Sequence, residues 1–191
     1  MIKFRQIAEL AHHLAGMAIN EGDTVVDATA GNGIDTLFLA EKVGPEGKVF
    51  AFDIQEEALQ KTAENLKNRK LSERVLLIHD SHENIAEYIN IRISVVIYNL
   101  GYLPGGNKQI TTRCTTTIHS LKEVLKLLAP GGIIVITAYR GHAEGKIELD
   151  KIMQMGKSLL PAEYTVLHLN LLNQENEPPE LIVIQKSLFY D

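Results

Sequence analysis

Two kinds of hydrophobic pattern alternate along the chain. Short, nearly continuous apolar runs, typical of buried parallel strands, are separated by longer segments in which apolar residues recur every three or four positions, as in amphipathic helices. The predicted strands are residues 24–28, 48–52, 74–78, 93–98 and 133–138. The predicted helices are residues 5–19, 34–42, 56–70, 115–128 and 146–160. Strands that alternate with helices in this way predict an α/β fold with a mostly parallel sheet.

The end of the chain has a different pattern. Residues 164–172 and 181–186 are two strand-like runs whose connection is too short for the crossover that parallel neighbours need. They are therefore predicted to pair antiparallel at the edge of the sheet. Residues 130–132, Pro-Gly-Gly, are expected to stop the preceding helix before the fifth strand begins. We predict a mostly parallel seven-stranded sheet with an antiparallel C-terminal hairpin, helices on both faces, and a single domain over residues 1–191.

The composition limits the class of protein. With 45% apolar and 23% charged residues, the chain is typical of a globular domain. Its one cysteine, Cys114, excludes an internal disulfide framework. The first residues lack the apolar core of a signal peptide, and no apolar run approaches the roughly 18 residues of a membrane span. These observations predict a cytoplasmic protein with no membrane association.

Charge is distributed unevenly along the chain. The net charge of −5 argues against a general attraction to nucleic acid. Residues 99–122, however, contain Lys108, Arg113 and Lys122 and no acidic residue. An anionic substrate is therefore expected to bind near this segment.

A carboxylate and a glycine-containing turn follow the first predicted strand. Asp27 ends the apolar run, and the turn after it contains Gly31 and Gly33. The dinucleotide fingerprint G-x-G-x-x-G would need a third glycine at the position of Thr36. The turn therefore predicts a nucleotide-type pocket without the packing glycine of NAD-binding proteins, although such turns also occur for structural reasons alone.

Two further predicted strands also end in aspartate. Asp27, Asp53 and Asp80 are spaced 26 and 27 residues apart, which is about the length of one strand, one helix and their loops. In a parallel sheet, all three lie on the carboxyl-end rim, where open α/β sheets bind ligands. Each aspartate alone is more typical of a helix cap, but the three in phase predict a shared ligand.

The fourth predicted strand runs into residues 99–106, whose sequence is Asn-Leu-Gly-Tyr-Leu-Pro-Gly-Gly. This segment resembles the [Asp/Asn]-Pro-Pro-Tyr motif of amino-group methyltransferases, with Leu100 and Gly101 in place of the prolines. The side-chain oxygen of Asn99 could accept hydrogen bonds from an amine, and Tyr102 could cover a base or stabilise positive charge. The alternative is a long turn in which Asn99 only caps the strand, and the position on the shared rim favours the functional interpretation.

Residues 27–33, 99–106 and 139–145 together resemble a bacterial family associated with tRNA 5-aminomethyl-2-thiouridine methyltransferase activity, formerly labelled putative rRNA methylase. The resemblance covers essentially the whole chain and implies the Rossmann-like class I methyltransferase fold. It also implies that S-adenosylmethionine donates a methyl group to the primary amine of a modified wobble uridine in the tRNA anticodon loop. Arg140 departs from the family pattern, in which proline would be expected before the Gly-His pair.

The strand-end pattern and the resemblance together assign candidate residues to three roles. The expected cofactor contacts are Asp27, Thr29, Ala30, Gly31, Asn32, Gly33, Asp35, Thr36, Asp53, Ile54, Gln55, Asp80, Ser81, His82 and Asn99. The expected substrate contacts are Leu100, Gly101, Tyr102, Pro104, Lys108, Arg113, Arg140 and His142. The expected catalytic residues are Asn99 and Tyr102. No metal ion is predicted.

The proton acceptor and the reaction type stay open at this point. A primary alkylamine has a pKa of about 10 and must lose a proton before it reacts. His82 and His142 are both candidates to accept that proton, and neither is preferred. A pyrimidine C5 methyltransferase would instead need Cys114 as its nucleophile, at a predicted helix start where the dipole could lower the pKa of the thiol. The more ordinary interpretation of Cys114 is an incidental small residue in the N-cap region, and it is preferred.

Other acceptors and another class of protein also stay open. Ribosomal RNA and a small amine metabolite are alternative acceptors, and a non-catalytic nucleotide-binding protein is the alternative from a different class. A homodimer would enlarge the basic surface, but nothing in the sequence pattern demonstrates one.

Overall fold

Seven strands form one mixed sheet in the computed structural model, which describes residues 6–103, 105, 110–141 and 143–189. The strands are β1 (Thr24–Asp27), β2 (Lys48–Asp53), β3 (Val75–His79), β4 (Ile93–Asn99), β5 (Leu128–Ala138), β6 (Tyr164–Leu169) and β7 (Glu180–Lys186). Their order across the sheet is β3-β2-β1-β4-β5-β7-β6. The first five are parallel to one another, and β7 pairs antiparallel with both β5 and β6. The predicted fold class is therefore confirmed.

Six α-helices lie among the described residues and cover both faces of the sheet. They are α1 (Ile7–Met17), α2 (Ile34–Lys42), α3 (Glu56–Arg69), α4 (Ile85–Tyr88), α5 (Cys114–Leu127) and α6 (Ala143–Ser158). Successive strand residues point to opposite faces, so Val25 and Val95 pack with α1, α2 and α3, whereas Val26 and Val96 pack with α4, α5 and α6. No helix in these ranges combines the length and apolar character that crossing a membrane requires.

Strand β5 begins earlier than predicted. The sequence predicts a break at residues 130–132 and a strand from 133, but the structure extends β5 back to Leu128. The pairing with β4 shifts register there, because Ile93 lies opposite Leu128 whereas Val95 lies opposite Ile133. Pro130 lacks the N–H that a regular ladder needs, and the bulge accommodates it. Pro130 therefore lies within β5, at the distortion near its start, and not before the strand begins.

A short helical segment between β3 and β4 is absent from the prediction. It consists of a 3-10 turn at His82–Asn84 and the single-turn helix α4. Four residues are too few to show the periodicity by which longer helices are recognised.

The strand order places a crevice between β1 and β4. The chain proceeds from β1 to β3 in one direction across the sheet and resumes with β4 on the other side of β1. In doubly wound folds, ligands bind at the carboxyl ends of the strands on either side of such a switch point. Asp27 ends β1 and Asn99 ends β4, so the two sequence motifs meet at this crevice.

Candidate active site

A cavity of about 690 Å³ opens at the carboxyl ends of β1 to β4, within the size range of small-molecule sites. The expected cofactor contacts in its wall are Thr29, Gly31, Asp53, Ile54, Gln55, Asp80, Ser81, His82 and Asn99. The expected substrate contacts in its wall are Leu100, Gly101, Tyr102 and Arg113. The structure thus brings the strand-end residues and the loop after β4 into one cavity.

Asp27 holds the turn after β1 from behind the cavity. Its side chain is fully buried and accepts hydrogen bonds from the Thr36 hydroxyl at 2.6 Å and the Thr29 N–H at 3.1 Å. Burial, followed by the negative charge of Asp35, raises the pKa of Asp27 to about 8. Asp27 was expected to contact the cofactor. In the structure it supports the turn after β1 and does not line the cavity.

Five other expected cofactor contacts also lie outside the cavity wall. They are Ala30, Asn32, Gly33, Asp35 and Thr36. They belong to the turn after β1 and to the start of α2. Gly33 has φ of +82°, and a Cβ there would lie 2.8 Å from Thr62 Oγ1. Only glycine suits both the left-handed backbone and the close approach.

Asp53 connects β2 to the glycine turn. Its Oδ2 accepts the Gly31 N–H at 2.8 Å, and its Oδ1 accepts the Gln55 N–H at 2.9 Å. Burial raises its pKa, and these hydrogen bonds act in the opposite direction. Each carboxylate oxygen has two lone pairs, so Asp53 holds the turn and retains acceptor capacity toward the cavity.

Asp80 presents a second carboxylate at the end of β3. It accepts hydrogen bonds from the Ser81 N–H at 2.7 Å, the Asn84 amide at 3.0 Å and the Tyr88 hydroxyl at 3.0 Å. The bond from Asn84 is the largest of the causes that lower the pKa of Asp80. The cavity therefore has a fixed, ionised acceptor at this end.

The loop after β4 forms the opposite end of the cavity. The Asn99 N–H donates to Thr29 Oγ1 at 2.8 Å, which ties β4 to the turn after β1. Tyr102 pairs with Thr111 as an antiparallel bridge, so the loop returns toward its own start. Tyr139, which follows β5, also lines this end and is 39% exposed. Tyr139 begins the third segment of the family resemblance, residues 139–145, but the sequence analysis assigns it no role in the site.

A buried glutamate of α6 holds both ends of this loop. Thr112 Oγ1 accepts the Gly101 N–H at 2.9 Å and donates to Glu148 Oε2 at 2.9 Å. Thr117 Oγ1 donates to Glu148 Oε1 at 2.5 Å. Glu148 is 1% exposed, and burial raises its pKa. Sequence analysis misses Glu148 because helical periodicity does not show which distant loop a helix contacts.

His82 is poorly suited to accept a proton from the substrate. It lines the cavity but is 7% exposed. Burial lowers its pKa to about 4, so the ring is neutral and weakly basic near pH 7. The structure therefore argues against one of the two candidate bases, and the other, His142, lies outside the described residues.

Cys114 does not have the properties of an activated nucleophile. It is the first residue of α5, but burial and the charges of Glu148 and Glu144 raise the pKa of its thiol. The raised pKa is the opposite of the lowering that a position at a helix start could give. Cys114 is also absent from the residues that line the cavity, although its neighbours Arg113 and Thr116 are present.

The remaining expected substrate contacts have different outcomes. Arg140 is not in the cavity wall, and its Nε lies 2.5 Å from Glu180 Oε1 in an ion pair. Glu180 also pairs with His168, so these three side chains form a separate cluster. Pro104 and Lys108 lie outside the described residues.

Residues 99–122 contain no acidic residue, but acidic side chains from α6 lie next to them in the structure. The Cys114 N–H at the start of α5 donates to Glu144 Oε1 at 3.1 Å, and Glu148 lies beside it. Helix α6 thus brings two carboxylates against residues 99–122. Of the three cations in that segment, Arg113 lines the cavity and Lys122 does not.

Comparison with known proteins agrees with this geometry. A family model described as putative rRNA methylase matches residues 49–185. A chloroplastic tRNA (mnm(5)s(2)U34)-methyltransferase of Arabidopsis thaliana is 38% identical over 184 residues, which are 91% of this chain and 67% of that protein.

Two crystal structures are similar over nearly their whole length. A putative rRNA methylase from Clostridium thermocellum has a TM-score of 0.94 at 42% identity, covering 97% of this chain and 99% of that chain. A putative methyltransferase from Streptococcus mutans, solved in complex with SAH, has a TM-score of 0.88 at 38% identity with the same coverage. The fold, the family model and these relatives together show that the chain belongs to the family of putative rRNA methylases and has the Rossmann-like class I methyltransferase fold.

Proposed function

We propose that this protein is an S-adenosylmethionine-dependent RNA methyltransferase that N-methylates the aminomethyl group of 5-aminomethyl-2-thiouridine at the tRNA wobble position. One observation carries the proposal: a single cavity has carboxylates at one end and the Asn99 loop at the other. Asp80 and Asn99 are three strand positions apart in the sheet, or about 14 Å at normal strand spacing. That length suits an extended nucleoside with its reactive group at the Asn99 end.

The donor set of the cavity fits S-adenosylmethionine, which supplies an electrophilic methyl group on a sulfonium. Asp53 and Asp80 are acceptors for hydroxyl and amino donors of a nucleoside. Gly31 lets the backbone approach a ligand closely, since it lines the cavity with φ of +52°. A relative of this chain has been crystallised with SAH, the demethylated form of the same compound.

The acceptor end can position an amine without forming a covalent intermediate. Asn99 offers a carboxamide oxygen as an acceptor, and the aromatic rings of Tyr102 and Tyr139 lie in the same part of the wall. Aromatic faces attract positive charge, so they suit an amine that becomes cationic as it gains a methyl group. Correct placement of two reactants alone can account for much of the rate of such a transfer.

The amine must be neutral to react, and the cavity favours that form. Leu100, Leu103 and Ile110 give the acceptor end an apolar lining, and a low-dielectric environment lowers the pKa of an ammonium group. Burial lowers the pKa of His82 to about 4, which argues against it as the base near pH 7. We propose that the proton leaves to solvent as the amine enters the cavity.

The tRNA substrate is supported by the name of the Arabidopsis relative, which specifies mnm5s2U34. An anticodon loop is a short structured target, and Arg113 in the cavity wall offers one cation for its phosphates. We further propose that residues 1–191 act as one domain in the cytoplasm, consistent with the single cysteine. We also propose a homodimer, which would enlarge the basic surface.

Mass spectrometry of tRNA nucleosides from a strain that lacks this protein tests the proposed function. The strain should accumulate 5-aminomethyl-2-thiouridine and lose the methylated form. Wild-type protein should restore the methylated nucleoside, and the Asn99→Ala variant, expressed to the same level, should not. An unchanged tRNA profile would overturn the tRNA assignment and direct the search to ribosomal RNA.

A further inference from the structure

Asn99 needs a defined side-chain orientation to perform the role proposed for it. A carboxamide can present either its oxygen or its NH2 group to the cavity, and only the oxygen accepts a hydrogen bond from an amine. The backbone of Asn99 is fixed by its N–H bond to Thr29 and by pairing with Thr137 of β5. Those backbone contacts do not determine which of the two orientations the side-chain amide adopts. The groups that lie next to the side chain determine it.

Asp35 lies beside that side chain. Its Oδ2 is 3.5 Å from Asn99 Nδ2, and the residue is only 8% exposed, in the first turn of α2. A carboxylate accepts hydrogen bonds and repels another oxygen. Asp35 therefore favours the orientation in which the NH2 group of Asn99 faces α2 and the oxygen is left for the cavity. The negative charge of Asp35 also acts on Tyr139. After burial, it is the second cause of the raised pKa of the Tyr139 phenol.

His12 of α1 holds Asp35 in place. Its Nε2 lies 2.5 Å from Asp35 Oδ1, so the two carboxylate oxygens have separate partners. The imidazole is stacked on Phe38 of α2, with ring centroids 4.1 Å apart and an interplanar angle of 2°. The stack fixes the plane of the ring and hence the direction of its bond to Asp35. Helix α1, which forms no part of the cavity wall, is thereby connected to the acceptor end.

We propose that His12 and Asp35 are positioning residues that orient the carboxamide of Asn99 with its oxygen toward the acceptor amine. The inference deepens the proposed function and rests on it. Asp35 was expected to contact the cofactor, and this assignment gives it a different role.

The first test is a kinetic one with matched variants. Asp35→Asn should lower kcat about 10- to 100-fold, because misplaced groups cost that much in rate. The KM for tRNA and the affinity for SAH should change by less than about threefold. His12→Leu should have a smaller effect in the same direction, and His12→Gln, which keeps a donor, should recover most of it. His13→Gln, at an exposed neighbour on the same helix, should leave kcat unchanged.

A double-variant cycle separates positioning from a general structural effect. If Asp35 acts through Asn99, adding Asp35→Asn to Asn99→Ala should lower the remaining single-turnover rate by less than about threefold. Equal losses in both backgrounds would overturn the proposal. A parallel loss of SAH affinity and melting temperature in Asp35→Asn would do so as well.

An NMR measurement decides the proposal without turnover. The side-chain amide resonances of Asn99, identified by their disappearance in Asn99→Ala, should shift in Asp35→Asn and His12→Leu but not in His13→Gln. Unchanged resonances in Asp35→Asn would contradict the inferred contact. If the wild-type protein methylates no tRNA, the proposed function fails, and these resonances still show whether Asp35 orients Asn99.

Discussion

The hydroxyl of Thr112 donates a hydrogen bond to Glu148 across 2.9 Å and so connects the loop after β4 to helix α6. Because the same hydroxyl oxygen accepts the Gly101 N–H, the carboxylate of Glu148 indirectly fixes the backbone next to Tyr102. The acceptor end of the cavity therefore depends on a residue of α6, 36 positions further along the chain than Thr112.

Replacement of Glu148 tests this connection. Glu148→Ala leaves the hydroxyls of Thr112 and Thr117 without their acceptor and should lower the free energy of unfolding by about 1–3 kcal/mol. It should also raise the KM for the RNA substrate more than it weakens SAH binding, because other residues hold Asp53 and Asp80 in place. Glu148→Gln keeps an acceptor oxygen and should be milder on both measures. Equal effects of the two variants in urea denaturation and kinetics would show that the hydrogen bonds do not hold the loop.

The buried carboxyl of Asp27 predicts a specific dependence of stability on pH. Its pKa rises from about 4 in the unfolded chain to about 8 in the native state. The native state thus keeps a proton that the unfolded chain releases. The contribution of Asp27 to stability is full below about pH 4 and is lost as the pH rises to about 8.

Urea denaturation of the wild type and Asp27→Asn over this pH range measures that contribution. The asparagine does not titrate. Its Oδ1 can accept the Thr29 N–H, and its NH2 group can donate to the Thr36 hydroxyl in place of accepting from it. The free energy of unfolding of the wild type, relative to the variant, should fall between about pH 5 and pH 8 and then level off. A relative stability that rises with pH would mean that Asp27 is ionised in the native protein near neutrality.

Gly33 should tolerate alanine worse than another glycine of similar backbone conformation. Gly22 has φ of +87° with open space around it, whereas a Cβ on Gly33 would lie 2.8 Å from Thr62 Oγ1. Both substitutions incur the left-handed backbone cost of about 1–2 kcal/mol, and only Gly33→Ala adds the clash. The larger loss of melting temperature is therefore expected for Gly33→Ala, with partial recovery when Thr62→Ala is added. Equal losses for the two glycines would contradict the close packing of the turn.

Cys114→Ala should leave methyl transfer intact. The thiol has a raised pKa and is not among the residues that line the cavity, so it lacks the features of a nucleophile. The kcat and SAH affinity of the variant should match those of the wild type. Loss of all turnover with SAH binding retained would instead indicate covalent catalysis on a pyrimidine ring.

The sequence predicts the parts of this site that depend on strand ends. Asp53, Asp80 and Asn99 each follow an apolar run, and a parallel sheet necessarily brings such positions to one rim. Asp27 follows the same rule but lies behind the wall, because its side chain bonds to Thr36 in the next helix. The direction of a side chain at a strand end is set by such contacts and not by the position alone.

The supporting residues could not be predicted in the same way. His12 lies on α1 and Glu148 lies on α6. Helical periodicity predicts only whether such a residue faces the core or the solvent. Their partners, Asp35 and Thr112, are distant in the sequence. Such contacts follow from how helices pack against the sheet, which no local pattern encodes.

Methyl transfer by the purified protein tests the central claim most directly. The protein would be incubated with S-adenosylmethionine and tRNA from the deletion strain, and the digested nucleosides analysed by mass spectrometry. We expect 5-aminomethyl-2-thiouridine to be converted to 5-methylaminomethyl-2-thiouridine by the wild type and not by Asn99→Ala. A methyl group on any other atom of the tRNA, or transfer to ribosomal RNA alone, would contradict the proposed reaction.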